Sequence, residues 1–253
     1  MTGNTVISTT FQITGTGAYA ATGTATINGS AAVTVGGGSF SSTSTFTVTD
    51  LANVTMTSGS ITSQGLVIVN GDGVVDVQGG NFNAQGATTI GGSGTIDVQG
   101  GNYIATGSIT LDDDGRILVG NQFVPAGVVF ANSTTQIQGN AILAADGGTY
   151  NATGQIVVTG NGVIGIRNGG VVSASGTTSI NANAVVAIFD TSEYQAAGTI
   201  TMNGGVLTGD GAILGMQLLD NIGGIVAPAS FTNDFGTLSL TGTYQQGAGA
   251  TFR

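Results

Sequence analysis

Apolar and polar residues alternate along this chain in short runs that return at a nearly fixed interval. After one glycine-bearing turn, Ala25, Phe46, Val67, Ile109, Val129, Ile156 and Ile200 fall in one apolar column. Two residues on, Ile27, Val48, Val69, Ile90, Leu111, Val158, Ile180 and Met202 fall in another. A second run repeats the same in-out-in pattern as Val33-Thr34-Val35, Val54-Thr55-Met56, Val75-Asp76-Val77 and Ile96-Asp97-Val98. Period-two alternation over three to five residues predicts strands with one buried face, so the apolar columns should point inward and Thr34, Thr55, Asp76 and Asp97 toward water.

The alternation sits inside a longer repeat. Aligned on Tyr19, Phe40, Ile61, Phe82, Tyr103, Phe123, Tyr150, Val172 and Tyr194, nine copies are spaced by 21, 21, 21, 21, 20, 27, 22 and 22 residues. Periods of this size mark a solenoid, and three strand-like runs per period, parted by Gly, Asn, Asp and Ser, predict three strands per coil. The fold expected is all-β: a single-stranded parallel β-helix of 21–22 residues per coil, extending over residues 1–253 as one solenoid. Coils are regular through 1–202 and looser over 203–253. The 27-residue interval, with ANSTTQIQGNAI, is where a loop insertion is expected. The Tyr/Phe column should form an interior aromatic stack. Asn28, Asn70, Asp112, Asn181 and Asn203 should occupy left-handed corners with their side chains in ladder.

Composition narrows the chemistry. The 253 residues include 46 glycines, but no Gly-X-Y register, and 40% are apolar, which excludes collagen and disorder. Thirteen acids face three arginines, Arg116, Arg167 and Arg253, with no Lys, His or Cys and a net charge of −10. Nucleic acid is therefore not an expected partner, and neither disulfides nor thiolate metal sites can form. No apolar run is long enough to span a membrane. The start, MTGNTVISTT, has neither the basic residues nor the apolar run of a signal peptide, so Met1 is expected to begin a fragment of a longer chain.

Four groups of side chains are candidates for chemistry or contact. Asp76 and Asp97 take the same outward position on adjacent coils, so they should lie about 5 Å apart at the backbone, near the spacing of a retaining glycosidase pair. Without His or Lys to orient a sugar, hydrolysis or lysis is not expected. Asp112, Asp113 and Asp114 gather oxygen ligands at one turn that suit calcium, although their spacing matches no calcium loop; metal ions are expected to be modest stabilisers at most. Outward threonines after the glycine, such as Thr24, Thr26, Thr45 and Thr47, suggest an ice-binding face. Leu66 and Ile68, Val128 and Phe130, and Gln155 and Val157 interrupt it. Leu66, Ile68, Val128 and Phe130 are in turn candidate contact points for a partner.

From Asn203 the chain carries Gly205, Leu207, Gly209, Gly211 and Ile213, then Ile225, Pro228 and Ser230, then Gly236, Thr237, Leu238, Leu240, Gly242, Tyr244 and Gln246. This pattern resembles the end of the passenger region of bacterial autotransporters and related giant secreted β-helical adhesins. Ala229 stands where that family usually has Gly. The resemblance covers about fifty residues and implies a right-handed parallel β-helix at the bacterial surface or outside the cell, with no catalytic residues carried over. The function expected is that of a non-enzymatic stalk or adhesive segment, with a host-surface or polysaccharide ligand. A polysaccharide lyase or hydrolase and an ice-binding or self-assembling fibre are the alternatives. At the N-terminal end, VISTTFQIT has no charge or Pro to block strand pairing, so end-to-end association that grows with salt is also expected, with Pro228, Asp234 and VAPASFTNDFG folding over the other end.

Overall fold

The computed structural model describes residues 3–121, 123, 126–229 and 236–253. Among them there is no helix; the chain winds as a parallel β-solenoid of about eleven turns. One coil shows the plan. Val67–Val69 forms the first face, Val74–Val77 the second and Asn81–Ala84 the third, and Thr88–Ile90 begins the next coil directly above Val67–Val69. Every face is a parallel ladder in which each strand pairs with its counterpart one coil away. The corners are laddered too: the Ser93 amide donates to the Gly71 carbonyl and Asp114 to Gly92. Backbone donors and acceptors are thus consumed between coils, and at about 4.8 Å per coil the rod is about 50 Å long.

The inward columns behave as the alternation requires. Ile27, Val48, Val69, Ile90, Leu111, Val158, Ile180 and Met202 are buried, and so are Val33, Val35, Val54, Met56, Val75, Val77, Ile96 and Val98. One copy differs from the spacing's expectation. Val129, not Phe123, pairs with Tyr103 below and Tyr150 above, and Phe123 is 82% exposed. Thr135 takes the place expected for Val129, pairing Ile109 with Ile156. The extra residues therefore fall between Val119 and Val128, and ANSTTQIQGNAI is regular coil. The physical reason is that glycine followed by an alternating apolar run reads alike at two different corners.

The corner assignment also shifts. At the corner that follows the first-face strands the residues with positive φ include Gly29, Asp50, Gly71, Gly92, Asp113, Gly139, Gly160, Ala182 and Gly204. Asn28, Asn70, Asp112, Asn181 and Asn203, expected in that conformation, each stand one position before such a residue. Amide ladders exist elsewhere, from Asn161 to Asn140 and from Asn102 to Asn81, while the Asn28 Oδ1 atom is buried without a partner. After residue 202 the three faces continue to Thr251–Phe252, with strands as short as two residues. Ser230, Asp234 and most of the expected cap lie outside the described residues.

Three buried tyrosines share one device. The hydroxyls of Tyr103, Tyr150 and Tyr194 meet Thr88, Thr135 and Thr178 at 2.7, 2.7 and 2.6 Å, each threonine itself buried on the first face. Removing one partner strands the other hydroxyl, so Thr88→Val or Tyr103→Phe should each cost about 1–3 kcal/mol, while the double variant should cost less than either, measured by urea unfolding. Burial pushes these hydroxyls well above the ordinary tyrosine value of 10, only partly offset by the threonine bonds. A raised folded value means that this stability is complete below pH 10 and is lost as pH rises past it. Ultraviolet titration should show the three ionising together with unfolding.

Candidate functional site

The second face holds the charged groups that lie close together. Asp97 pairs with Asp76 in direct register, as the outward spacing predicted. Each carboxylate accepts a hydrogen bond from the glutamine two residues on, Gln78 to Asp76 at 2.6 Å and Gln99 to Asp97 at 2.8 Å. These bonds form because residues two apart on a strand project from the same side. The second carboxylate oxygen of Asp76 is buried with no partner. Burial raises the Asp97 pKa, the Gln99 bond opposes this, and the Asp76 charge raises it further.

A raised folded pKa means that the Asp97 charge works against folding at neutral pH, an effect that fades as pH falls toward the ordinary value of 3.8. Asp97→Asn should therefore raise the thermal midpoint at pH 7 and lose that advantage below about pH 4. Thermal scans at both pH values check this.

Two coils above Asp97, Asp146 occupies the corner between the second and third faces. Arg167 donates to its Oδ2 atom through Nε at 3.0 Å and Nη2 at 2.8 Å, and the Asn168 amide donates to Oδ1. The Asp146 side chain is only 12% exposed, so this pairing satisfies a charge that could not be left alone. Between Asp97 and Arg167 lies a depression of about 190 Å³ that also includes Leu118, Asn121 and Ala144. A second depression of about 280 Å³ adjoins it across Ala144 and Arg167, reaching Val163, Gly165, Ala187 and Phe189. This groove was not anticipated. Its signal was the change of the outward column from Thr34, Thr55, Asp76 and Asp97 to Leu118, Ala144, Gly165 and Ala187.

The remaining candidates are scattered. Asp112, Asp113 and Asp114 lie at the corner after the first face, where Asp112 accepts from the Asp113 amide at 2.8 Å and Asp113 accepts from the Gly92 amide. Among the described residues no three acidic side chains come together in a cluster able to hold a metal ion. Leu66, 46% exposed, and Ile68 lie on the first face, whereas Val128 and Phe130, the latter 37% exposed, lie on the third. They do not form one patch. Nor do Val128 and Phe130 interrupt the threonine face, where Thr134 and Gln136 stand instead.

No family model and no curated protein matches this chain. Among solved structures, a TibC-catalysed hyper-glycosylated TibA fragment aligns over 100% of both chains at 15% identity and a TM-score of 0.23, a likeness too distant to inform the site. Among the described residues no helix is long and apolar enough to cross a membrane.

Proposed function

We propose that this chain is a non-enzymatic, extracellular β-helical segment of a bacterial secreted protein, acting as a stiff stalk with an adhesive side. The carrying observation is the parallel ladder that runs through about eleven coils, in which corners as well as faces are paired among the described residues. Such a rod transmits force and holds a side face at a distance from its anchorage. The passenger-like motifs from Gly205 to Gln246 support the location. Asp76 and Asp97 stand side by side on one ladder, each held by a glutamine, and the chain has no His or Lys to orient a sugar beside them.

Fused ahead of an outer-membrane autotransporter barrel, residues 1–253 should reach the cell exterior and resist added protease there. Retention inside the cell, or rapid digestion once displayed, would overturn the stalk reading. Incubation with plant and bacterial polysaccharides should release no reducing ends or unsaturated products. Release abolished by Asp97→Asn would establish an enzyme instead.

A further inference from the structure

We infer that the groove on the second face, from Asp97 to Ala187, binds a neutral, extended oligosaccharide. This rests on the adhesive part of the function proposed above and names its ligand class. Four coil steps separate Asp97 from Ala187 through Leu118, Ala144 and Gly165, so the groove runs along the rod for about 19 Å. Its floor is Ala144, Gly165 and Ala187, the smallest side chains of that column, and a methyl group placed on Gly165 would meet nothing within 4 Å. Leu118 and Val163 add apolar surface, while Arg167 lines both halves.

Three classes of ligand can be told apart on this geometry. An extended peptide gains most of its affinity by pairing its backbone to a free sheet edge, and this face has no edge because its ladder bonds run from coil to coil. A polyanion would meet Arg167 already neutralised by Asp146, beside Asp97 and Asp76, on a chain of net charge −10. A neutral saccharide fits both halves of the surface. Its ring C–H faces can rest on the small apolar floor, and its hydroxyls both donate and accept. Asp146 engages two of the five guanidinium N–H groups, leaving three for ligand oxygens, and the Asp97 carboxylate retains an oxygen that accepts no bond from Gln99.

The test probes an array of neutral hexose, N-acetylhexosamine and uronate oligosaccharides, from disaccharides upward, with the 253-residue chain, Gly165→Leu and Arg167→Ala. The unmodified chain should be retained on at least one neutral oligosaccharide longer than a disaccharide. Both variants should lose at least about tenfold in affinity, the worth of one charge-assisted hydrogen bond or of a blocked floor. Gly165→Leu projects into open space and should keep its thermal midpoint, so it remains informative if Arg167→Ala destabilises the fold by stranding Asp146. Retention on uronates alone, or no retention on any neutral member, would overturn the proposal and leave the stalk reading standing. Retention on neutral sugars indifferent to Gly165→Leu would also overturn it, locating adhesion elsewhere on the rod.

Discussion

Gly80→Ala is expected to destabilise the chain by about 2–6 kcal/mol, whereas Gly91→Ala should leave stability unchanged or raise it by up to about 1 kcal/mol. The two glycines sit at different corners of the solenoid. Gly80 has φ 79°, and a methyl group there would stand 2.3 Å from the Gly59 carbonyl oxygen and 2.9 Å from the Gly59 nitrogen of the coil below. Both neighbours are backbone atoms fixed in ladders, so nothing can swing aside. The positive φ costs about 1–3 kcal/mol for a residue with a side chain, and the overlap adds a similar amount. Gly59 repeats the arrangement with φ 84° and the Gly38 oxygen at 2.2 Å from the same position. Gly91, by contrast, has ordinary φ and nothing within 4 Å, so alanine there only restricts the unfolded chain. Urea midpoints of the two variants measured together decide it. Equal midpoints would mean that the coils are free to part at this corner.

The contrast shows how much of the architecture lay open in the residues. A period near 21 is a statement about backbone stacking, and every stacked pair repeats it, so the three-strand coil and its inward columns could be read without the structure. Asp76 and Asp97 followed from the same spacing. The insertion was harder to locate, because Gly127-Val128-Val129-Phe130 imitates the glycine and alternating run that open the first face. Only the pairing of Val129 with both tyrosines separates the two corners. The outward column of the second face is legible as far as Leu118, but with the register shifted beyond it the continuation through Ala144, Gly165 and Ala187 is hidden.

The tyrosine partners left a trace that was legible. Tyr103, Tyr150 and Tyr194 each bond a threonine on the preceding first-face strand, whereas Phe82 and Phe40 follow coils that carry Val67 and Ala25 in that column. At these three positions the tyrosine hydroxyl enters the rod where a threonine hydroxyl meets it, as the cost of a buried unpaired polar group favours; the buried Ser192 hydroxyl, which has no such partner, is the exception.

Phe46→Ala should cost about 3–5 kcal/mol, and the pair Phe46→Val with Ile61→Phe should return the chain to within about 1.5 kcal/mol of its original stability. The expected straight column of rings is broken at Ile61, and the stack detours through the first face. Ring centres run from Tyr19 to Phe40 at 5.1 Å, Phe40 to Phe46 at 5.5 Å, Phe46 to Phe82 at 5.5 Å and Phe82 to Tyr103 at 5.1 Å. Phe46 meets both Phe40 and Phe82 edge to face, at 86° and 82°, a geometry that adds to the gain from burial. Alanine there opens a cavity between coils that depend on their neighbours for most of their stability. Moving the ring to residue 61 restores the third-face pattern of Phe40 and Phe82, and valine at 46 copies Val67 one coil above. Ile61→Phe alone should overpack the space that Phe46 already fills, costing about 1–3 kcal/mol. The two single costs should therefore far exceed the cost of the pair in a urea-unfolding cycle. If they merely add, the rings at 46 and 61 do not compete for one space, and the detour is not what keeps the aromatic stack continuous.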